Sequence, residues 1–341
     1  MKPVPVENPP NPWASSAVEY LDEVPVAKVQ VYSDASHGIL VRNDSPDVAF
    51  TYSVNPYRGC THACAYCYAR PTHEYLSFGA GTDFDTKIVV KREAPALLRR
   101  AFDRPSWHGE MVMFSGVTDC FQPLEASLRL TRGCLEVCAE YQNPVGIVTK
   151  APLVERDVDV LRTLTQVASV HVWLSIPIWD EQVARAIEPG VATPRRRLAT
   201  IAKLSAAGIS VGVMVAPLIP AVSEDGLEEV LTAAKDAGAR TASFVLLRLP
   251  GSVKDVFESR LKAALPARAE KILHRVREMR GGKLYDARFA VRRRGEGVLA
   301  EALSNVFWAT ARRLGLRPIL EEPPATFRRP LRRGPQLGLF D

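Results

Sequence analysis

Three cysteines, Cys60, Cys64 and Cys67, fall in a C-x3-C-x2-C spacing within eight residues of the segment SVNPYRGCTHACAYCYARPTHEY. Thiolates are soft ligands that suit iron-sulfur clusters or zinc, and a loop this short can wrap three of them around one metal centre. The number of ligands is informative. A cubane cluster has four irons, so three protein thiolates leave one iron free to bind something else, as the open position does at a catalytic metal. The competing reading is a zinc site completed by His62 or His73. Structural zinc sites use two separated ligand pairs more often than one compact triplet, which favours the cluster. Cys134 and Cys138, at i and i+4 in the apolar run RGCLEVCAEY, read instead as small buried hydrophobes.

A metal loop needs a scaffold, and the flanking pattern supplies one. Short apolar runs recur at 51–57, 111–116, 145–150, 169–177, 209–217 and 242–250, and the cysteines follow the first of them. Between the later runs lie segments with apolar residues at three and four spacing, at 124–141, 155–166, 194–207 and 227–237. Strands that are apolar throughout and separated by helices predict an α/β fold with a parallel sheet, doubly wound or curled into a full or partial barrel. Both arrangements place ligands at the carboxyl ends of the strands, where the triplet stands. No G-x-G-x-x-G follows the first strand, so a dinucleotide-binding fold loses its main support. After Pro250 the pattern turns helical, over 253–265, 268–280 and 296–314. The expected divisions are an extended N-terminal segment (1–48, with one strand at 27–32), a core (49–250), a helical extension (251–318) and a flexible Arg/Pro-rich tail (319–341).

The 341 residues, 47% hydrophobic and 24% charged, exclude wholesale disorder or a fibrous repeat. The most apolar stretch, 211–222, is interrupted by Pro217 and Pro220 and is too short to span a bilayer. The start, MKPVPVENPPNPW, has no secretory apolar core, which predicts a cytoplasmic protein with reduced cysteines.

The triplet, with the aromatic Tyr66 just before its third cysteine, resembles the motif of the radical S-adenosylmethionine superfamily. The NPYRGC and ARPTHEY flanks are most similar to its spore-photoproduct-lyase-like subgroup. The resemblance implies a partial parallel (βα)6 barrel and a 4Fe-4S cluster whose open iron chelates S-adenosyl-L-methionine. One electron, from a donor such as flavodoxin or ferredoxin, then cleaves the sulfonium to methionine and a 5′-deoxyadenosyl radical. It also implies cofactor contacts at the strand ends: Thr118, preferred over Asp119, for the methionine ammonium, Lys150 for the carboxylate, Ser175 for the ribose and the backbone at Ala216 for the adenine. Tyr66 and Tyr68 match two tyrosines that relay hydrogen in the lyases, although adenine stacking is the preferred role for Tyr66. Those lyases carry a hydrogen-donating cysteine upstream of this turn. Here Ser115, Gly116 and Val117 hold no thiol, and the nearest one, Cys120, reads as an incidental small residue more than as a donor.

The chain's net charge of +6 lies wholly in its last 61 residues: 281–341 carry 12 Lys+Arg against six acids, and 1–280 balance at 32 against 32. Arginines clustered at 292–294, 312–317 and 328–333 suit phosphates, and so DNA, as well as they suit a solvated surface. Just before the last residue stands QLGLF, where Gln336, Leu337, Leu339 and Phe340 resemble the peptide with which bacterial repair proteins dock on the β sliding clamp. Three functions follow: a radical enzyme acting on or near DNA; a clamp-associated nucleic-acid-binding protein with a structural or redox-sensing cluster; or a radical enzyme acting on RNA, protein or a metabolite.

Overall fold

The computed structural model of the chain describes residues 28–48, 50–318 and 324–330. Its strands are β1 (Gln30–Ser33), β2 (Leu40–Arg42), β3 (Tyr52–Val54), β4 (Tyr57–Arg58), β5 (Lys87–Val90), β6 (Val112–Phe114), β7 (Val145–Thr149), β8 (Val170–Ser175), β9 (Ser210–Leu218) and β10 (Thr241–Leu246). Seven of them form one sheet in the order β10-β9-β8-β7-β6-β3-β2. The six from β3 to β10 are parallel neighbours and coincide with the six apolar runs of the sequence; only β2 is antiparallel. With its ends at β10 and β2, the sheet is the expected partial (βα)6 barrel. A smaller sheet, β1-β5-β4, flanks it.

The strands read as uniformly apolar because both of their faces are buried, but the two faces differ. In β8, Val172 and Leu174 join the main hydrophobic core, while His171, Trp173 and Ser175 rise along the other face by the period of two. Near the amino ends of the strands this inner column is tightly filled. His171 Nδ1 lies 2.9 Å from Ser210 Oγ and its Nε2 2.9 Å from Thr241 Oγ1, with the Trp173 ring centroid 4.0 Å from the imidazole. A Cβ on Gly212 would stand 2.1 Å from Thr241 Oγ1 and 2.7 Å from Trp173 Cδ1, so only glycine fits there. Burial, reinforced by the Arg240 charge, pushes His171 down to about 4, which keeps the ring neutral.

The helices follow the sequence pattern, with one break. The periodic stretch 124–141 divides into Glu125–Leu128 and Leu130–Glu140 because Arg129 takes a positive φ of 53°. The buried Glu125 carboxylate explains the break: it accepts from the amides of Thr131 (3.0 Å) and Arg132 (3.2 Å), capping the second helix, and pairs with Arg156 at 2.8 Å. Cys134 and Cys138 are core residues of that second helix. Within the stretch expected to be flexible, residues 324–330 are anchored. Phe327 packs on Phe102 and Tyr141, and Arg329 donates to the carbonyls of Phe102, Arg104 and Trp107. An aromatic anchor among prolines and arginines carries no periodicity that would reveal it. Among the described residues no helix is long and apolar enough to cross a membrane.

Candidate active site at the carboxyl ends of the strands

Cys60, Cys64 and Cys67 sit in a loop held from three sides by its own backbone. The Cys60 amide bonds to Phe84 O (3.0 Å), Ala65 to Ile187 O (3.0 Å), and His62 O accepts from Gly190 N (3.0 Å). A Cβ on Gly190 would lie 2.3 Å from Thr61 O, so the loop and the 187–190 turn touch main chain to main chain. Two buried ion pairs clamp the loop further. Arg70 donates to Cys64 O at 2.9 and 3.1 Å while pairing with Asp85 at 2.8 Å. Behind the loop, Glu188 and Arg197 pair at 2.7 Å, each with 1% side-chain exposure, and Arg197 also donates to Ser175 O at 2.6 Å. Burial raises the Glu188 carboxyl's proton affinity, but Arg197 and Lys150 outweigh it and hold the group below its ordinary range.

All three cysteines are free thiols lining one cavity of about 260 Å³. Burial pushes Cys60 and Cys67 up to about 11 and Cys64 well above its ordinary value, so each must lose a proton on binding metal. Among the described residues no three His, Cys, Asp or Glu side chains converge as ligands for a single metal ion. His73 is turned away: its Nε2 meets Lys87 O at 2.8 Å. His62 lines the cavity but faces Asp119, 3.4 Å away. Three soft thiols facing one cavity suit an iron-sulfur cluster by the chemistry of the donor set.

The candidate strand-end residues gather in the same cavity: Thr118, Asp119, Lys150, Ser175 and Ala216 all line it. Lys150 reaches across the barrel top, its Nζ 3.0 Å from Ser175 Oγ and 3.4 Å from Ala216 O, and lies 5.7 Å from the Tyr66 ring centre. Ser175 Oγ donates to Ala216 O at 2.8 Å. Asp119 accepts from Thr149 Oγ1 (2.7 Å) and from the amides of Lys150 (2.7 Å) and Phe121 (2.9 Å), which lock its carboxylate in place. The Thr118 hydroxyl donates to Gly59 O at 2.8 Å, tying the turn to the cysteine loop. Ser115 starts this turn with a positive φ of 78°, an uncommon conformation for a side-chain-bearing residue.

The two tyrosines take different positions. Tyr66 is buried and its hydroxyl donates to Glu188. Tyr68 is 48% exposed at the cavity mouth and donates to Gly116 O at 2.6 Å. Cys120 is fully buried in the hydrophobic core and is not among the residues that line the cavity. Gln336, Leu337, Leu339 and Phe340 lie outside the described residues. Sequence reasoning missed His62 as an Asp119 partner, the Glu188–Arg197 pair, and Arg248 and Arg293, which also line the cavity. No motif marks these residues; they are brought together only by the folding of segments far apart in the chain.

Comparison with known proteins agrees with this geometry. The radical SAM superfamily matches residues 54–234 of the chain. An uncharacterised protein of Mycobacterium tuberculosis is 40% identical over 242 residues, 70% of each chain. One of Methanocaldococcus jannaschii is 30% identical over 169 residues, 50% of this chain and 61% of that one. Among solved structures, spore photoproduct lyase complexed with a dinucleoside spore photoproduct superposes with a TM-score of 0.62 at 18% identity, covering 84% of this chain and 80% of the lyase. At that identity the likeness is one of fold.

Proposed function

Since the chain belongs to the radical SAM superfamily and, like its members, binds a 4Fe-4S cluster and S-adenosylmethionine, we propose that it is an enzyme acting on nucleic acid through its upper cavity. One observation carries the site assignment. Three free cysteines and the carboxyl ends of the parallel strands face a single cavity. When bound, the pair would supply one-electron reductive cleavage of the sulfonium, with flavodoxin or ferredoxin as electron donor.

The chain's own residues bind and orient. Cys60, Cys64 and Cys67 are the thiolate ligands. Lys150, already bridging Ser175 and Ala216, offers its cation to the methionine carboxylate. Asp119 offers an anion to the ammonium. With its donors in place before the cofactor arrives, it need not reorganise. The Glu188 bond holds Tyr66 as a wall rather than a hydrogen relay, and Tyr68, at the mouth, is the tyrosine positioned toward substrate. The excess of arginine after residue 280 and the QLGLF end support work on DNA near a sliding clamp.

Anaerobic reconstitution followed by reduction with S-adenosylmethionine tests the reaction. We expect methionine and 5′-deoxyadenosine in equal amounts, and their absence from a fully loaded cluster overturns the enzyme. The partner part is separate: removing Gln336 to Asp341 should abolish binding to the β clamp, and unchanged binding, or none in the intact chain, rejects it.

A further inference from the structure

The arginines after residue 280 do not form one uniform basic surface. Arg288 pairs with Asp286 and Glu296, Arg292 with Asp47, and Arg313 with Glu228. Arg293 points elsewhere. With Arg248, which follows β10, it lines the cavity above the cysteines, and among the described residues neither stands within ion-pair distance of a carboxylate, although Asp47, paired with Arg292, also acts on Arg293. Arg248 Nε is buried with no hydrogen-bond partner, and its guanidinium lies 5.4 Å from the centre of the Tyr68 ring. Among the described residues the Arg293 side chain donates one hydrogen bond, to the main-chain oxygen of Asp47. Burial first, and the Arg248 charge next, lower the proton affinity of Arg293, against the Asp47 carboxylate, which raises it.

A third arginine holds this arrangement in place. Arg280, 1% exposed, donates to Leu247 O (2.7 Å), Val291 O (2.5 Å) and Arg292 O (2.9 Å). It therefore clips the residue before Arg248 to the residues before Arg293. Two like charges brought to one cavity mouth, with the nearby Asp47 carboxylate already paired to Arg292, are unfavourable alone and suited to an incoming oxyanion, which guanidinium forks bind bidentately.

We propose that Arg248 and Arg293 hold a backbone phosphate of a nucleic-acid substrate at the mouth of the radical site, with the exposed Tyr68 ring as a stacking face for the adjoining base. The inference rests on the upper cavity being the reaction site and adds the group by which substrate is recognised there. The surroundings favour a nucleotide over a small carboxylate. Arg293 also lines a second cavity of about 490 Å³ with Phe244, Arg294, Trp308 and Asp47, the last already paired with Arg292; this cavity offers further aromatic and cationic surface for a strand passing from one cavity to the other. Base–aromatic stacking beside a cationic groove is the usual physical means of holding a single strand.

The test uses the full-chain holoenzyme, loaded anaerobically, and calorimetric titration with deoxyadenylyl-thymidine, its uncharged methylphosphonate counterpart, and malonate as a carboxylate probe. Arg248→Gln and Arg293→Gln should each weaken the charged dinucleotide by roughly 10-fold or more and leave the methylphosphonate unchanged. Arg248→Lys and Arg293→Lys should recover part of the loss, as a point charge without the fork. Near-ultraviolet circular dichroism of every variant reports folding separately. Four results overturn the site: no binding of the dinucleotide to the parent, equal binding by the Gln variants, tighter binding of malonate than of the dinucleotide, or a loss confined to S-adenosylmethionine affinity, which would make the pair a cofactor clamp. Absence of 5′-deoxyadenosine overturns the proposed reaction and leaves the dinucleotide result standing. A parent that cleaves S-adenosylmethionine and binds no dinucleotide overturns the phosphate site alone.

Discussion

The two ends of one barrel are built on opposite terms. Near the amino ends of the strands the inner column is filled by His171, Trp173, Ser210 and Thr241, both imidazole nitrogens are bonded, and Gly212 has no room for a methyl group. Only the indole nitrogen of Trp173 lacks a partner there. At the carboxyl ends the same strands leave a cavity, and around it stand free thiols, the bridging Lys150 and two arginines that form no ion pair among the described residues. The difference shows where the sheet is closed for stability and where it is left open for ligands. The lower residues complete one another, whereas several upper ones have charge or soft-ligand capacity that the chain alone does not satisfy.

Substitutions that cross this division should separate stability from function. The largest stability effect belongs to the lower end. Trp173→Ala removes a ring only 3% exposed beneath the cavity and should destabilise by about 3–5 kcal/mol, read from the denaturant midpoint of the apoprotein. A ΔΔG near zero would mean that the floor is not a packed layer.

His171 gives a slightly smaller, pH-dependent effect. Its proton affinity falls from 6.5 to about 4 on folding, so the native state binds fewer protons than the unfolded chain between those values. The stabilisation is complete above pH 6.5 and is lost as pH falls toward 4, by about 3 kcal/mol at most. His171→Asn should flatten that part of the apoprotein's stability profile; an unchanged slope would place the titration elsewhere. The smallest stability effect belongs to the upper end. Tyr68→Phe deletes one bond to Gly116 O from a half-exposed ring and should cost about 1 kcal/mol or less. Its main effect should be on the products formed from substrate, and a large drop in melting temperature would show that the mouth, too, is structural.

Most of the core was legible in the chain. Six apolar runs became six parallel strands, and the helices after Pro250 formed close to their expected limits, because both patterns reflect burial periods that neighbours in sequence share. The break at Arg129 was not legible, since it depends on Glu125, whose partner Arg156 lies 31 residues further on. Strand β2 was missed because three residues, one part-buried and two exposed, have no distinctive pattern. Within the site, the three cysteines announced themselves by spacing. Thr118, Asp119, Lys150, Ser175 and Ala216 were named through resemblance and position at strand ends, and the cavity brings them together.

The local order of residues was therefore enough to specify a βα scaffold, a three-thiolate loop at its functional end and a C-terminal region holding all the excess charge, because spacing and composition are properties of the chain itself. Tertiary structure decided what those groups face. It placed Glu188 and Arg197 behind the loop, turned Cys120 into the core, paired most of the described arginines of the C-terminal region with acids or carbonyls, and brought Arg248 and Arg293 to one opening. Those outcomes depend on which distant segments pack together and on which charges then find partners, and neither is written in the spacing of any one segment.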